Sequence, residues 1–149
     1  MKIVFMYDKW SFVSWAIRKF TRSEFSHVAI MDEHDVYEAS QTANEVIKYS
    51  AGYIYKPGRV IKVIDIKSDF NQTMAMRTAV LEELGKPYDY MAIVGFLVDR
   101  YWQDDRKWFC SEFTAYVLMK GGVKLNLGLL GRITPGDLWG ALYTNYGRG

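Results

Sequence analysis

The only cysteine of the chain, Cys110, begins an amphipathic segment and is the residue best suited to covalent chemistry. It follows a polar run at residues 103–107. Phe113 and Val117 recur after it at helical spacing, and Gly121 ends the pattern. We therefore expect the thiol in the first turn of a helix, where free N–H groups and the positive end of the helix dipole favour a thiolate. A thiolate can attack a carbonyl carbon. The competing interpretation is a small buried residue that only packs in the core.

His27 is the candidate partner of this cysteine. Residues 25–31 and 36–40 predict two strands of a hairpin, joined by a polar turn centred near 32–33. In that register His27 faces Glu38 or its near neighbour on one side of the sheet, with Cβ atoms roughly 5 Å apart. The carboxylate would then fix the imidazole tautomer and support the imidazolium. A slip of one residue would place the two side chains on opposite faces, and a core histidine is the alternative.

The order of the predicted elements indicates an α+β domain, because strands concentrate in the first half of the chain and helices in the second. Strands are expected at residues 2–6, 25–31, 36–40, 45–49 and 59–66. Helices are expected after Asp8 or Ser11, after Asn71, after Asp89 over about 90–101, from Cys110, and after Thr134. We expect a single domain over residues 1–149, with an antiparallel β-sheet packed against helices.

Two of the predicted helices are described by the distribution of their apolar side chains. The first carries an apolar stripe that comprises Phe12, Trp15, Ala16 and Phe20. Its basic neighbours Arg18, Lys19 and Arg22 project elsewhere and are expected to form a solvated face. The helix over 90–101 is apolar nearly all round, which favours burial in the core over a lipid- or partner-facing surface.

Composition excludes several classes of function. A net charge of +2 gives no broad basic field for nucleic acid. One cysteine excludes an intramolecular disulfide framework and a multi-cysteine zinc site, so no metal or cofactor is expected. Asp8 and Lys9 interrupt the N-terminal apolar run, which is too short for a signal peptide, and no run reaches membrane-spanning length. We expect a cytoplasmic protein, with delivery to the cell envelope by another route and peripheral membrane contact left open.

Five motifs taken together resemble a known family. They are residues 17–30 with Ser26-His27-Val28, then Tyr37-Glu38-Ala39, Gly85-Lys86-Pro87-Tyr88-Asp89, Phe109-Cys110-Ser111-Glu112 and Thr134-Pro135-Gly136-Asp137-Leu138. The set resembles the YiiX-type branch of the permuted NlpC-like cysteine hydrolases, distant relatives of papain that are grouped with the lecithin:retinol acyltransferase-like proteins. The resemblance covers most of the chain. It implies a papain-like, circularly permuted fold with the nucleophile at a helix N-terminus.

Matched residue by residue, the resemblance implies Cys110 as the nucleophile, His27 as the base and Glu38 as the residue that orients the histidine. The expected reaction is cleavage of an amide bond through a thioester. The expected substrate is a peptide or acyl amide, either peptidoglycan-derived or lipid. Tyr7, which follows the first strand, is a further candidate donor to the oxyanion.

Two other functions remain open at this point. One is a lipid acyl hydrolase or acyltransferase, which the apolar stretch at 93–98 would suit. The other is a binding module that keeps the fold and does no chemistry. Acyl-chain binding without turnover of short peptides would favour the first, and a Cys110→Ala variant with intact cellular effects would favour the second.

Overall fold

The structure is a computed structural model and describes residues 1–91, 107–127 and 133–147. Within these ranges the fold is α+β, as predicted, with a five-stranded antiparallel sheet and four α-helices. The strands are β1 (Lys2–Asp8), β2 (His27–Asp32), β3 (Asp35–Ser40), β4 (Glu45–Ser50) and β5 (Arg59–Asp65). The helices are α1 (Phe12–Thr21), α2 (Phe70–Glu83), α3 (Cys110–Lys120) and α4 (Pro135–Tyr146). A 3-10 turn, Ala51–Ile54, precedes β5. All five predicted strands are present, with ends shifted by at most two residues.

The sheet has the order β4-β3-β2-β1-β5, so β1 pairs with β2 on one side and with β5 on the other. This position explains why β1 is apolar without a polar break. Ile3 and Phe5 point into the larger core, and Val4 and Met6 point into a smaller core on the opposite face. A strand that is covered on both faces needs apolar side chains at every position.

The larger core lies between the sheet and the helices. Helix α3 packs across β2 and β3 and against α2. Phe5, Phe25 and Trp139 of α4 form an aromatic cluster, with ring centroids 4.9 to 5.4 Å apart. Phe5 and Phe25 are fully buried, and full burial of such a side chain stabilises a fold by roughly 1.5–3 kcal/mol. The cluster therefore fixes β1 and the chain just before β2 against α4.

Side-chain caps explain where two of the helices begin. Thr134 caps α4 as predicted, because its Oγ1 accepts from the Asp137 N–H at 3.1 Å. For α2 the predicted cap, Asn71, was wrong. The cap is Asp69, which accepts from the Gln72 N–H at 2.8 Å while the Gln72 side chain accepts from the Asp69 N–H at 3.1 Å. This reciprocal pair satisfies two helix-end donors at once, which no cap at the asparagine would do.

The apolar stripe of α1 faces solvent. Phe12, Trp15 and Phe20 are exposed, whereas Ser14 and Ile17 are the residues that α1 buries. Hydroxyl hydrogen bonds hold this inner face, since the Ser14 and Ser26 Oγ atoms lie 2.7 Å apart. The sequence identifies the stripe correctly, but periodicity alone does not state which side of a helix meets the core.

The apolar helix predicted over 90–101 lies outside the described residues from residue 92 onward. The whole stretch at 93–98 therefore lies outside them. The expected start of this helix is visible, because the Met91 N–H donates to Asp89 Oδ1 at 2.9 Å, as an N-cap requires. Among the helices of the described ranges, none is long and apolar enough to cross a membrane.

Candidate active site

Cys110 is the first residue of α3, and its side chain has no exposed surface. The segment before it is tied to the segment that follows α2. The Trp108 N–H donates to the Pro87 carbonyl at 2.9 Å, and the Asp89 N–H donates to the Trp108 carbonyl at 3.0 Å. The Trp108 indole also donates to Glu83 Oε2 at 2.6 Å. These bonds fix the start of α3, and therefore the thiol, against the end of α2.

His27 and Glu38 are in direct contact. His27 Nε2 lies 2.9 Å from Glu38 Oε2, and the two side chains are 23 % and 13 % exposed. The contact was predicted from the hairpin, but the predicted register was wrong. Asp32 pairs with Asp35, and continuing this register places Glu38 opposite Ala29, two residues from the histidine. The shift is even, so both side chains stay on one face as diagonal neighbours, still within reach of long side chains.

Tyr49 completes the surroundings of the carboxylate, and the sequence analysis missed it. Its hydroxyl donates to Glu38 Oε2 at 2.8 Å. In the sheet Glu38 pairs with Ile47 of β4, so Tyr49 lies two residues further along on the same face. A third strand placed in register beside the hairpin would have revealed the contact. Burial and the charge of Glu38 raise the pKa of Tyr49, so the phenol keeps its proton and remains a donor.

The pKa values of the pair shift in opposite directions. Burial would lower the pKa of His27, but the charge of Glu38 and the charge and hydrogen bond of Cys110 outweigh it, so this pKa lies well above its usual value. Burial would raise the pKa of Glu38, but the charge and hydrogen bond of His27 outweigh it and lower that pKa. The imidazolium–carboxylate form is therefore favoured at neutral pH. Since Nε2 faces the carboxylate, Nδ1 is the ring nitrogen left for the thiol.

Two tyrosines lie on the wall of the cavity beside His27. Tyr7, the predicted oxyanion donor, lies on a cavity wall with the Arg18 guanidinium 3.9 Å above its ring. Tyr88 lies on the same cavity and is 3 % exposed. Burial, then the charge of Cys110, raises the pKa of Tyr88 well above its usual value. Tyr88 is therefore a further candidate donor beside Tyr7, because the charge of Cys110 acts on it. It belongs to the motif at residues 85–89, for which the sequence alone predicts no role.

The cavity beside His27 has a volume of about 420 Å³. Its wall includes Glu38, Tyr49 and the Arg59 guanidinium. Asp8 holds that guanidinium through two short contacts, Nε to Oδ1 at 2.6 Å and Nη2 to Oδ2 at 2.8 Å. Such a two-point contact orients a guanidinium firmly. The cavity thus gives access to His27 and Glu38. Cys110 is buried and does not form part of the cavity wall.

In residues 1–91, 107–127 and 133–147, no three His, Cys, Asp or Glu side chains are grouped so that they could hold a metal ion. No protein-family model matches the chain, and no curated protein matches it.

Proposed function

We propose that the protein is a cysteine hydrolase that cleaves an amide bond through a Cys110-His27-Glu38 triad, on a papain-like, circularly permuted NlpC-type fold. The observation that carries the proposal is the direct contact of His27 with Glu38 on the sheet face across which α3 packs, with Cys110 as the first residue of that helix. The raised pKa of His27, to which the charge and hydrogen bond of Cys110 contribute, supports pairing of this imidazole with the thiol. Nucleophile, base and orienting group are the three roles that covalent acyl transfer needs.

The proposed reaction has two steps. In the first, the Cys110 sulfur attacks the carbonyl carbon, the bond to the leaving amine breaks, and protonated His27 gives its proton to that amine. In the second, water loses a proton to His27 and attacks the thioester, which releases the acid and restores the sulfur. Glu38 stays ionised throughout and holds the imidazole in place, which its lowered pKa supports.

Charge on the carbonyl oxygen needs hydrogen-bond donors as the tetrahedral intermediate forms. Backbone N–H groups at the start of α3 are one source, because the first residues of a helix have free donors. The Tyr88 hydroxyl is a second, since its raised pKa keeps it protonated. Tyr7, the donor that the sequence predicts, lies on the wall of the same cavity and is a third.

Burial sets a condition on this mechanism. Because Cys110 has no exposed surface, a substrate held in the 420 Å³ cavity beside His27 reaches the sulfur only when the covering side chains move apart. Tyr88 lines the cavity and is in electrostatic contact with Cys110. It is therefore the side chain expected to move on substrate binding.

The test is acylation of the thiol by p-nitrophenyl butyrate, a small donor that needs no knowledge of the natural substrate. The wild type is expected to release a burst of about one equivalent of p-nitrophenolate and to gain one butyryl group on Cys110, seen by intact-protein and peptide mass spectrometry. A panel of peptide amides, acyl amides and phospholipids then identifies the bond that turns over.

Matched variants make this test decisive. Cys110→Ala should remove the adduct, and His27→Ala should slow acylation by about 1,000-fold or more, because proton transfer by a positioned base contributes on that order. His34→Ala is the control, since this second histidine is exposed in the hairpin turn. An adduct on lysines alone, or equal rates in the two histidine variants, would contradict the proposal.

A further inference from the structure

Exposed aromatic side chains are concentrated around the start of α1 and the 3-10 turn. We call this group the aromatic surface; its members are Trp10, Phe12, Trp15, Phe20, Tyr53 and Tyr55. Each of them exposes more than half of its accessible surface. Single exposed apolar residues are common on soluble proteins, but a contiguous group of large ones marks an interaction site.

Contacts join neighbouring parts of the aromatic surface, and Phe20 extends it along the apolar stripe to the end of α1. The Phe12 and Trp15 rings stack with centroids 5.5 Å apart. The chain before α1 touches the chain after the 3-10 turn, where the Lys9 N–H donates to the Gly58 carbonyl at 2.9 Å. The Trp10 ring covers Gly58 so closely that a Cβ atom there would lie 2.7 Å from Cε3. Gly58 has a positive φ of 77° and no side chain, which permits this approach.

Helix α1 is oriented opposite to most surface helices of soluble proteins, whose apolar stripe faces the core. It turns Ser14 and Ile17 inward and its apolar stripe outward. The Ser14 hydroxyl accepts from the Asp8 N–H at 3.1 Å and meets the Ser26 hydroxyl at 2.7 Å. These polar contacts hold the helix without using its apolar face. An amphipathic helix with an unused apolar face and basic neighbours is typical of helices that lie in a membrane interface.

Basic residues border the aromatic surface. They are Lys9, Lys19, Arg22 and Lys56, and all four are exposed. Lys9 adjoins Trp10 in the chain and Lys56 adjoins Tyr55. Among the ion pairs of the described residues, none involves these four cations. Aromatic rings flanked by free cations complement a surface that is apolar within and negatively charged at its face.

We propose that the aromatic surface docks on an anionic phospholipid bilayer. The tryptophan and phenylalanine rings enter the interfacial layer, and the four bordering cations meet lipid phosphates. Val13 and Tyr53 line the cavity beside His27 and lie at the edge of this surface, so docking turns the mouth of the cavity toward the membrane. Delivery of a membrane-held acyl amide or ester to Cys110 rests on the proposed function, whereas docking itself does not.

The test is co-sedimentation of the full chain with vesicles of phosphatidylcholine and phosphatidylglycerol (7:3), compared with phosphatidylcholine alone. We expect binding to the anionic vesicles at least ten-fold tighter than to the neutral ones, and weakened by high salt because the attraction is partly coulombic. Replacing Phe12 and Trp15 together by Ser should weaken binding at least ten-fold. Both side chains are exposed, so circular dichroism and the unfolding midpoint should stay unchanged.

The control is Phe70→Ser in α2, because Phe70 and Phe12 are equally exposed at 77 % and Phe70 lies outside the aromatic surface. This control should bind vesicles like the wild type. A second variant, Lys19→Glu with Lys56→Glu, should weaken binding to anionic vesicles and leave the aromatic rings in place. Cys110→Ala should bind normally, which separates failure of docking from failure of the chemistry.

Three outcomes would overturn the docking proposal. The first is a wild type that fails to sediment with anionic vesicles. The second is a Phe70→Ser variant that loses as much binding as the double serine variant. The third is a wild-type dimer in analytical ultracentrifugation that the double serine variant disperses, without vesicle binding. That result would assign the aromatic surface to a second copy of the chain.

Discussion

Two glutamates of the candidate site belong to different layers of the molecule, Glu38 to β3 of the sheet and Glu112 to α3, two residues after Cys110. Both are largely buried, yet their pKa values move apart. Glu38 accepts from His27 and Tyr49, and its pKa is lowered. Among the described residues, Glu112 accepts a hydrogen bond only from the Phe109 N–H at 3.3 Å, and its Oε1 has no hydrogen-bond partner there. Burial raises the pKa of Glu112 to about 7.

The difference between these carboxylates shows that burial alone does not decide ionisation. Desolvation is the largest influence on both groups, and it raises both pKa values. Glu38 overcomes it because a cation and two hydrogen-bond donors favour the charged form. Glu112 has one backbone donor and the negative charge of Asp89 nearby. Glu38 is therefore suited to support an imidazolium at neutral pH, and Glu112 to remain protonated below pH 7.

The largest expected effect is that of Glu38→Gln on the proposed acyl transfer. The amide keeps the shape but cannot offset the charge of the imidazolium, so we expect acylation by p-nitrophenyl butyrate to fall about 1,000-fold, or about 4 kcal/mol. Burst kinetics measure the change. Glu45→Gln, at an exposed position, is the matched control and should behave like the wild type. A fall of less than ten-fold in Glu38→Gln would remove the carboxylate from the mechanism.

Glu112→Gln should have the next largest effect, which is a change in the free energy of unfolding. Folding raises the pKa of Glu112 from about 4.5 to about 7, so the folded wild type binds a proton that the unfolded chain releases. Its stability therefore falls as pH rises through this window. The stability of Glu112→Gln relative to the wild type should increase between pH 4.5 and 7 by on the order of 3 kcal/mol and then level off.

Urea unfolding of both proteins at several pH values measures this difference, in which the other titrating groups cancel. Glu82→Gln on the surface of α2 is the control and should show no such increase. A constant difference between Glu112→Gln and the wild type across the window would mean that the carboxyl group titrates normally in the folded state.

The smallest expected effect is that of Tyr49→Phe. It removes one of the two side-chain hydrogen bonds to Glu38 and leaves the contact with His27 in place. We expect a loss of stability of about 1 kcal/mol and a few-fold slower acylation. Tyr143→Phe, on the exposed face of α4, is the control. An effect as large as that of Glu38→Gln would mean that the tyrosine itself takes part in the reaction.

The sequence predicts the fold class, all five strands and the contact between His27 and Glu38. It predicts that contact with a wrong register, because the hairpin turn is centred one residue later, at Glu33 and His34. Strand alternation has a period of two, so the resulting two-residue shift leaves both side chains on one face. The contact requires that His27 and Glu38 lie on the same face of the sheet, and the alternation of side chains along a strand encodes that face. It does not require that the two residues are directly opposed.

Other parts of the site depend on which elements pack together, and local patterns do not contain that information. Tyr49 becomes a partner of Glu38 only through the placement of β4 beside β3. Tyr88 comes near the start of α3 only because a bridge with Trp108 joins its segment to that helix. The outward stripe of α1 is a third case, since helical spacing is the same whether the stripe faces a core or a membrane.

The burial of Cys110 also affects how fast its thiol is oxidised in an oxidising environment. Peroxide dissolved in water can convert a thiolate to sulfenic and then sulfinic acid, and the last step is irreversible in most proteins. A sulfur without exposed surface is attacked only during transient opening. The movement that admits substrate would then also admit the oxidant. An enzyme with a buried nucleophile of this kind would be inactivated by peroxide at a rate proportional to how often the site opens. Bound substrate would slow that inactivation.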